Sequence, residues 1–122
     1  MANPDSLFHV DALVVGGKPI GIVDGSCTII GLMGYENKAV PAASGPDATM
    51  RQRVPRMIKA KVLLKPGVTL DDLTGGKTQI SARDNEGPRR VMANNCVIAS
   101  IGELGSGPTD IEWNVLEPYQ IL

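Results

Sequence analysis

An antiparallel β-sandwich or barrel, with one short α-helix and one long projecting loop, is the fold class that this sequence predicts. Three observations carry the prediction: roughly seven short runs alternate apolar with polar residues, turn residues recur about every ten positions, and one brief stretch has a capped helical pattern. The chain has 122 residues, the size of one domain with room for a continuous core. No internal repeat or low-complexity tract divides it.

The elements follow in order. Residues 7–15, "LFHVDALVV", alternate imperfectly and end at Gly16-Gly17, which suits the positive φ angles of a two-residue hairpin turn. A second strand over 18–23 then pairs back on the first. Asp24-Gly25 offers a further turn before a third strand over 26–30. After a long interruption, "RMIKAKVLLK" places Ile58, Ala60, Val62 and Leu64 on one face and Met57, Lys59, Lys61, Leu63 and Lys65 on the other, as in a half-buried strand. The helix is predicted over about 69–74. Thr69 caps it, Asp72 stands three residues on as in a capping box, and Gly75 stops it. Leu70 and Leu73 of this helix share a sheet-facing side. "KTQISAR" sets Thr78, Ile80 and Ala82 against a polar face of Lys77, Gln79, Ser81 and Arg83. "DNEGP" turns the chain into the long strand "RRVMANNCVIASI", and "GELGSGPTD" connects it to "IEWNVLE". In that last strand Ile111, Trp113 and Val115 point inward, and Asp110, Glu112 and Asn114 point outward.

Residues 31–54, "GLMGYENKAVPAASGPDATMRQRV", show neither strand nor helix patterning of their own. Loops this long in compact domains are usually functional or disordered. A domain of this size has a diameter near ~35 Å, and a hairpin with arms of about 12 residues reaches on the order of 40 Å. Folded back on itself, the segment must therefore leave its own domain. Leu32, Met33, Tyr35, Val40 and Met50 give it apolar contact groups, Arg51 and Arg53 give it charge, and Ser44-Gly45-Pro46-Asp47 makes a strong turn at the tip. These residues are the candidate contact set between copies; a disordered surface loop is the plainer alternative.

Composition excludes several function classes. With 12 Lys+Arg against 13 Asp+Glu the net charge is -1, so there is no overall basic excess to hold nucleic acid or anchor a membrane. The aromatics are Phe8, Tyr35, Trp113 and Tyr119, too few for a base-stacking surface. The first ten residues lack the pattern of a secretory leader, and no apolar run approaches the roughly 18 residues of a span. A cytoplasmic site of synthesis is expected. Residues 1–6 read as an N-terminal arm. Cys27 and Cys96 lie inside strand-like runs and are expected as reduced, buried side chains. A thiol placed at a subunit contact would instead permit a bridge between copies.

Catalytic chemistry finds no constellation. The single histidine, His9, has no serine or cysteine motif beside it. His9, Cys27 and Cys96 are too scattered for a zinc site, and "GELGSGPTD" lacks the Lys-Ser/Thr pair and following helix of a phosphate cradle. Asp71-Asp72 falls in a helix's first turn and Asp84 with Glu86 in a turn, where neither needs a catalytic reading. No metal, no cofactor and no enzymatic activity are expected. Arg51, Arg53, Arg56, Lys59 and Lys61 form the one local basic cluster, open to phosphate or to acidic residues of a neighbouring copy.

The polar strand faces raise a further possibility. If several copies join their sheets and close, no edge is left exposed, and polar stripes line a water-filled bore. Asp110, Glu112 and Asn114 are the first lumen candidates; Lys77, Gln79, Ser81 and Arg83 are the competing set. Head-to-tail contacts that close make rings, and rings with projecting arms can stack.

From 10 to 116 the order hairpin, long loop, "RMIKAKVLLKPGVTLDDLTGGKTQISARDNEGPRRVMANNCV" and final strand "TDIEWNVL" resembles the tail tube proteins of contractile-tailed bacteriophages, in particular the small Mu-like type. The likeness is clearest in "LDDLTGGKTQISARDNEGPRRVMANN", where a short acidic helix leads into a strand, a polar turn and a strand ending in Ala-Asn. The chain departs from that family in its Pro/Ala-rich loop and its two cysteines. The resemblance implies a hexameric ring whose joined sheets form a continuous β-barrel lumen, with rings stacked into a tube inside a contractile sheath. Its implied partners are further copies of itself, the sheath, tape-measure, baseplate and tail terminator proteins, and DNA only in transit. A polar lumen suits passage of DNA, since Lys and Arg phosphate contacts would hold it. The implied location is the virion tail, after assembly in the host cytoplasm. Two other readings stand beside this one: a monomeric small β-barrel module that binds oligonucleotide or peptide, and the related tube of a secretion system or phage-derived bacteriocin.

Overall fold

The computed structural model describes residues 7–122 except 75, 86 and 87, and the side chains of Leu70 and Thr74 are likewise outside the description. The expected arm over 1–6, the Gly75 stop and the Glu86 carboxylate therefore lie outside the described residues. The strands are β1 (Val10–Val15), β2 (Lys18–Ile22), β3 (Thr28–Ile30), β4 (Tyr35–Val40), β5 (Ala48–Arg53), β6 (Arg56–Leu63), β7 (Thr78–Asp84), β8 (Arg90–Ile101), β9 (Thr109–Val115) and β10 (Gln120–Ile121), with α1 (Leu70–Thr74) between β6 and β7.

Of the two architectures left open, the chain forms the barrel. Six antiparallel strands close in the order β8-β7-β1-β2-β6-β9 and back to β8. The long strands β6 and β8 make closure possible because each is paired along both edges. β8 also has to bend, and its irregular pairing shows where. Against β7 its register passes from Ile80↔Ala93 to Thr78↔Cys96, and Asn95 in this bulge has a φ of 53. Asparagine tolerates that left-handed backbone better than most residues, and an extra residue on one strand curves and twists it. A second irregularity lies between Ile98 and Ser100 opposite β9.

Two sequence expectations change. Asp24-Gly25 does not reverse the chain: β2 and β3 both run antiparallel to β6 on one edge, with Ile22 opposite Val62 and Thr28 opposite Lys59. The break between them is a bulge, held where Val23 N donates to Lys61 O at 2.9 Å and Ser26 Oγ donates to Val23 O at 2.6 Å. The end of the chain does the same on β8, where β10 extends the line of β9 as the Gln120↔Met92 pair. Strand counting by turn residues misses such interruptions, since a bulge and a turn use the same glycines and aspartates. The Gly16-Gly17 hairpin does form, with φ angles of 59 and 84.

The barrel interior is filled. Leu13, Val15, Ile20, Ile58, Val62, Ile80, Ala93, Cys96, Ile111 and Trp113 meet inside it, and Leu73 of α1 joins this cluster. The capping box holds as expected: Thr69 N donates to Asp72 Oδ2 at 2.8 Å and Asp72 N to Thr69 Oγ1 at 3.4 Å. Lys18 reaches from β2 to the same carboxylate at 2.8 Å. With the Lys18 hydrogen bond as the largest cause, the Asp72 pKa is lowered. Buried Asp84 is paired with Arg89 and accepts from the His9 backbone N at 3.1 Å, which ties the start of β1 to the β7–β8 turn.

Among the described residues the buried Thr109 hydroxyl has no hydrogen-bond partner. Thr109→Val keeps the shape and removes that uncompensated group, so stability should rise by about 1 kcal/mol. Leu13→Ala, which empties a fully buried site, should lower it by about 2–5 kcal/mol. Urea denaturation of the two variants checks both; a loss with Thr109→Val would contradict the bond-free hydroxyl.

Candidate self-association surface

Residues 31–54, which lack a visible pattern in the sequence, contain β4 and β5. These form their own two-stranded sheet, in register from Tyr35↔Arg53 to Val40↔Ala48, and pair with no strand of the barrel. Nearly every residue of the pair is exposed, on both faces. The paired arms are six residues each, so the ribbon reaches about 20 Å from its root, shorter than the full-length hairpin expected. The remaining residues form its base and a tip, where Ala42 N donates to Asp47 Oδ1 at 3.0 Å.

Glycines set the root. Gly34 N donates to Gly31 O at 2.9 Å and Val54 N donates to Gly34 O at 3.1 Å. Gly31 has a φ of +77, and a Cβ there would stand 2.5 Å from Pro55 O. No other residue fits the turn without moving β6.

The two ribbon faces differ. Tyr35, Asn37, Ala39, Thr49, Arg51 and Arg53 share one, with the Arg51 guanidinium 4.2 Å from the centre of the Tyr35 ring. Glu36, Lys38, Val40, Ala48, Met50 and Gln52 share the other. Leu32 and Met33 stand exposed at the base, at 55% and 59% of full accessibility. All seven residues expected in the contact set therefore lie on the ribbon or at its base. Beside the base is a concavity of about 610 Å³ lined by Met33, Tyr35, Arg51, Arg53, Val54 and Arg56 among others. Sequence reading places Arg56 in a basic run but not in a pocket, because that needs the fold-back at Gly34.

Both sets of lumen candidates sit on the outside of the filled barrel. Asp110, Glu112 and Asn114 of β9 lie opposite Lys61, Lys59 and Met57 of β6, and Lys59 Nζ is 3.4 Å from Glu112 Oε1. The acidic stripe is thus interleaved with a basic one. On β7, Gln79 Nε2 donates to Asn94 Oδ1 at 2.9 Å, Ser81 is half-buried, Arg83 is exposed, and Lys77 is exposed just before the strand.

Cys96 is fully buried and Cys27 half-buried, and the two are not bonded. Burial pushes each thiol up to about 11. Only Cys27 lines an outer groove, of about 470 Å³, together with Phe8, His9, Ile29, Leu32, Ile121 and neighbours. At the groove's edge His9 Nε2 lies 2.7 Å from Asp24 Oδ1, a hydrogen bond that raises the imidazole pKa. Among the described residues no group of three His, Cys, Asp or Glu side chains is placed to hold a metal, and no helix is long and apolar enough to cross a membrane. The chain matches no protein-family model and no curated protein.

Thiol titration of the native protein near about pH 8 should modify Cys27 slowly and Cys96 only after denaturation, because a raised pKa and burial both suppress the reactive thiolate. Two rapidly reacting thiols would contradict the sealed core.

Proposed function

We propose that this chain is a structural subunit that polymerises with itself, as the inner tail tube protein of a contractile-tailed phage of the Mu-like type. In this reading hexameric rings stack into a tube that houses the tape-measure protein, lies within the sheath between baseplate and tail terminator, and conducts DNA. The observation that carries it is the β4–β5 ribbon, a two-stranded sheet with both faces exposed and no pairing to the barrel. Such a ribbon is marginal alone in water, and a second molecule laid against it supplies the missing contacts.

Because each barrel is filled, the tube's bore is the space enclosed by a ring of subunits. An outer polar stripe then lines it, either Asp110, Glu112 and Asn114 or the β7 set. Interleaved Lys59 and Lys61 temper the first stripe, so the β7 face competes on equal terms. Residues 97–101 of β8 continue past the start of β7, where the pairing begins at Thr78↔Cys96. Among the described residues no strand pairs with this edge of 97–101, which offers a place for a neighbour's strand to join. Of the two thiols, Cys27 alone has surface to offer a neighbour.

A monomeric binding module is the second reading, favoured by the apolar groove beside Cys27 and Ile121. Light scattering and negative-stain microscopy of the purified chain separate the two: rings or tubes are expected, and a concentration-independent monomer under all assembly conditions would sink the tube reading. Deleting residues 36–50 should leave a folded barrel, seen by an unchanged cooperative melt, while abolishing stacking. Long tubes from the deleted chain would show that the ribbon is not the adhesive element.

A further inference from the structure

The concavity at the ribbon base has an electrostatic problem that the described residues do not solve. Arg51, Arg53 and Arg56 line it, and none of its lining residues is acidic. Among the described residues none of the three arginines makes an ion pair, and the Arg56 Nε is buried with no hydrogen-bond partner. The Arg56 guanidinium lies against Gly34, where a Cβ would collide with it. An arginine cannot shed its charge, so three of them around one hollow, with one buried donor unmet, call for an oxyanion from outside. The hollow is also partly apolar, through Met33, Val54 and Pro55.

The opposite end of the barrel carries a matching projection. The ribbon leaves the barrel where β6 begins, at Arg56↔Val115, and the β8–β9 loop lies where β6 ends, at Val62↔Thr109. Every residue from 102 to 108 is exposed, and Leu104 is 72% accessible. Glu103 beside it has no hydrogen bond or ion pair among the described residues, whereas Asp72 is held by Lys18, and Glu112 lies against Lys59. Gly102, Gly105 and Gly107 leave this loop free to adapt.

We infer that the Arg51–Arg53–Arg56 hollow receives the Glu103 carboxylate, with Leu104 against Met33, from the opposite end of a second copy of this chain. The inference rests on the self-association reading and gives it a direction. A basic hollow at one end and an acidic-apolar projection at the other form a head-to-tail contact, which repeats without closing on itself along the stacking axis. The arginines supply forked donors to one carboxylate, and the exposed leucine and methionine cover each other.

Charge reversal tests it on the full-length chain, with assembly read by sedimentation and negative stain. Arg53→Glu and Glu103→Arg should each cut the assembled fraction at least about tenfold, since like charges then meet across the contact. The double variant should recover most of it. Glu103→Gln, a milder change at an exposed site, should weaken assembly at low salt and flatten its loss with added salt, because the screened attraction is gone. Melting curves matching the parent chain confirm that the variants fold. If the parent chain assembles while the single reversals assemble equally well, or the double does no better than the singles, this pairing is wrong and self-association stands. If the parent chain stays monomeric, both fall. A labelled single-stranded oligonucleotide bound by the parent and lost with Arg53→Glu, with assembly unaffected, would assign the hollow to phosphate and overturn the contact.

Discussion

Closure of the barrel through the double pairing of β8 is the constraint on which the other features depend. Its first half pairs with β7 and its second half with β9, and the bulge at Asn95 lets one strand serve both. Closed hydrogen-bonding gives each of the six strands a neighbour on both sides, and their inward residues then meet in one filled core around Trp113. Because the interior is full, any polar surface or channel must be external. The same closure sets the two ends of the molecule: the ribbon and its arginines at the start of β6, and α1 with the loop 102–108 at its finish.

Stability and association thereby reside in different parts of the chain. The buried side chains belong to the barrel and α1, whereas β4 and β5 contribute none to the core. The ribbon is tied to the body through its glycine root, so its contacts can serve another molecule without disturbing the fold. The outer charge pattern follows the same division. Cross-strand neighbours interleave along β6 and β9, as in the Lys59–Glu112 pair, while the arginines at the ribbon base and Glu103 at the far end have no such ion pair among the described residues. In the proposed tube, those uncompensated groups set the direction of stacking.

Much of the fold was legible because local rules act on neighbouring residues. The Gly16-Gly17 hairpin, the Thr69–Asp72 capping box and the alternation along β6, β7 and β9 all come from chain positions a few residues apart, where backbone geometry and side-chain spacing decide the outcome. That Leu32, Met33, Tyr35, Val40 and Met50 lie outside the core was legible for a related reason: they stand in a segment whose length forbids burial. The breaks at Asp24-Gly25 and at 116–119 were misjudged or missed, since a glycine or proline marks an interruption without saying whether the chain reverses or resumes the same line.

By itself, then, the sequence determined a β-class domain, the inward faces of its principal strands, its one capped helix, and a segment that had to lie outside the core. Those properties follow from period-two alternation and turn chemistry, which are local. Tertiary structure alone decided that the strands close into a filled barrel, that β4 and β5 pair only with each other, and that Arg51, Arg53 and Arg56 share one hollow while Glu103 stands at the other end. Each of these depends on register between strands distant in the chain, and register is settled only when all the inward residues pack against one another at once.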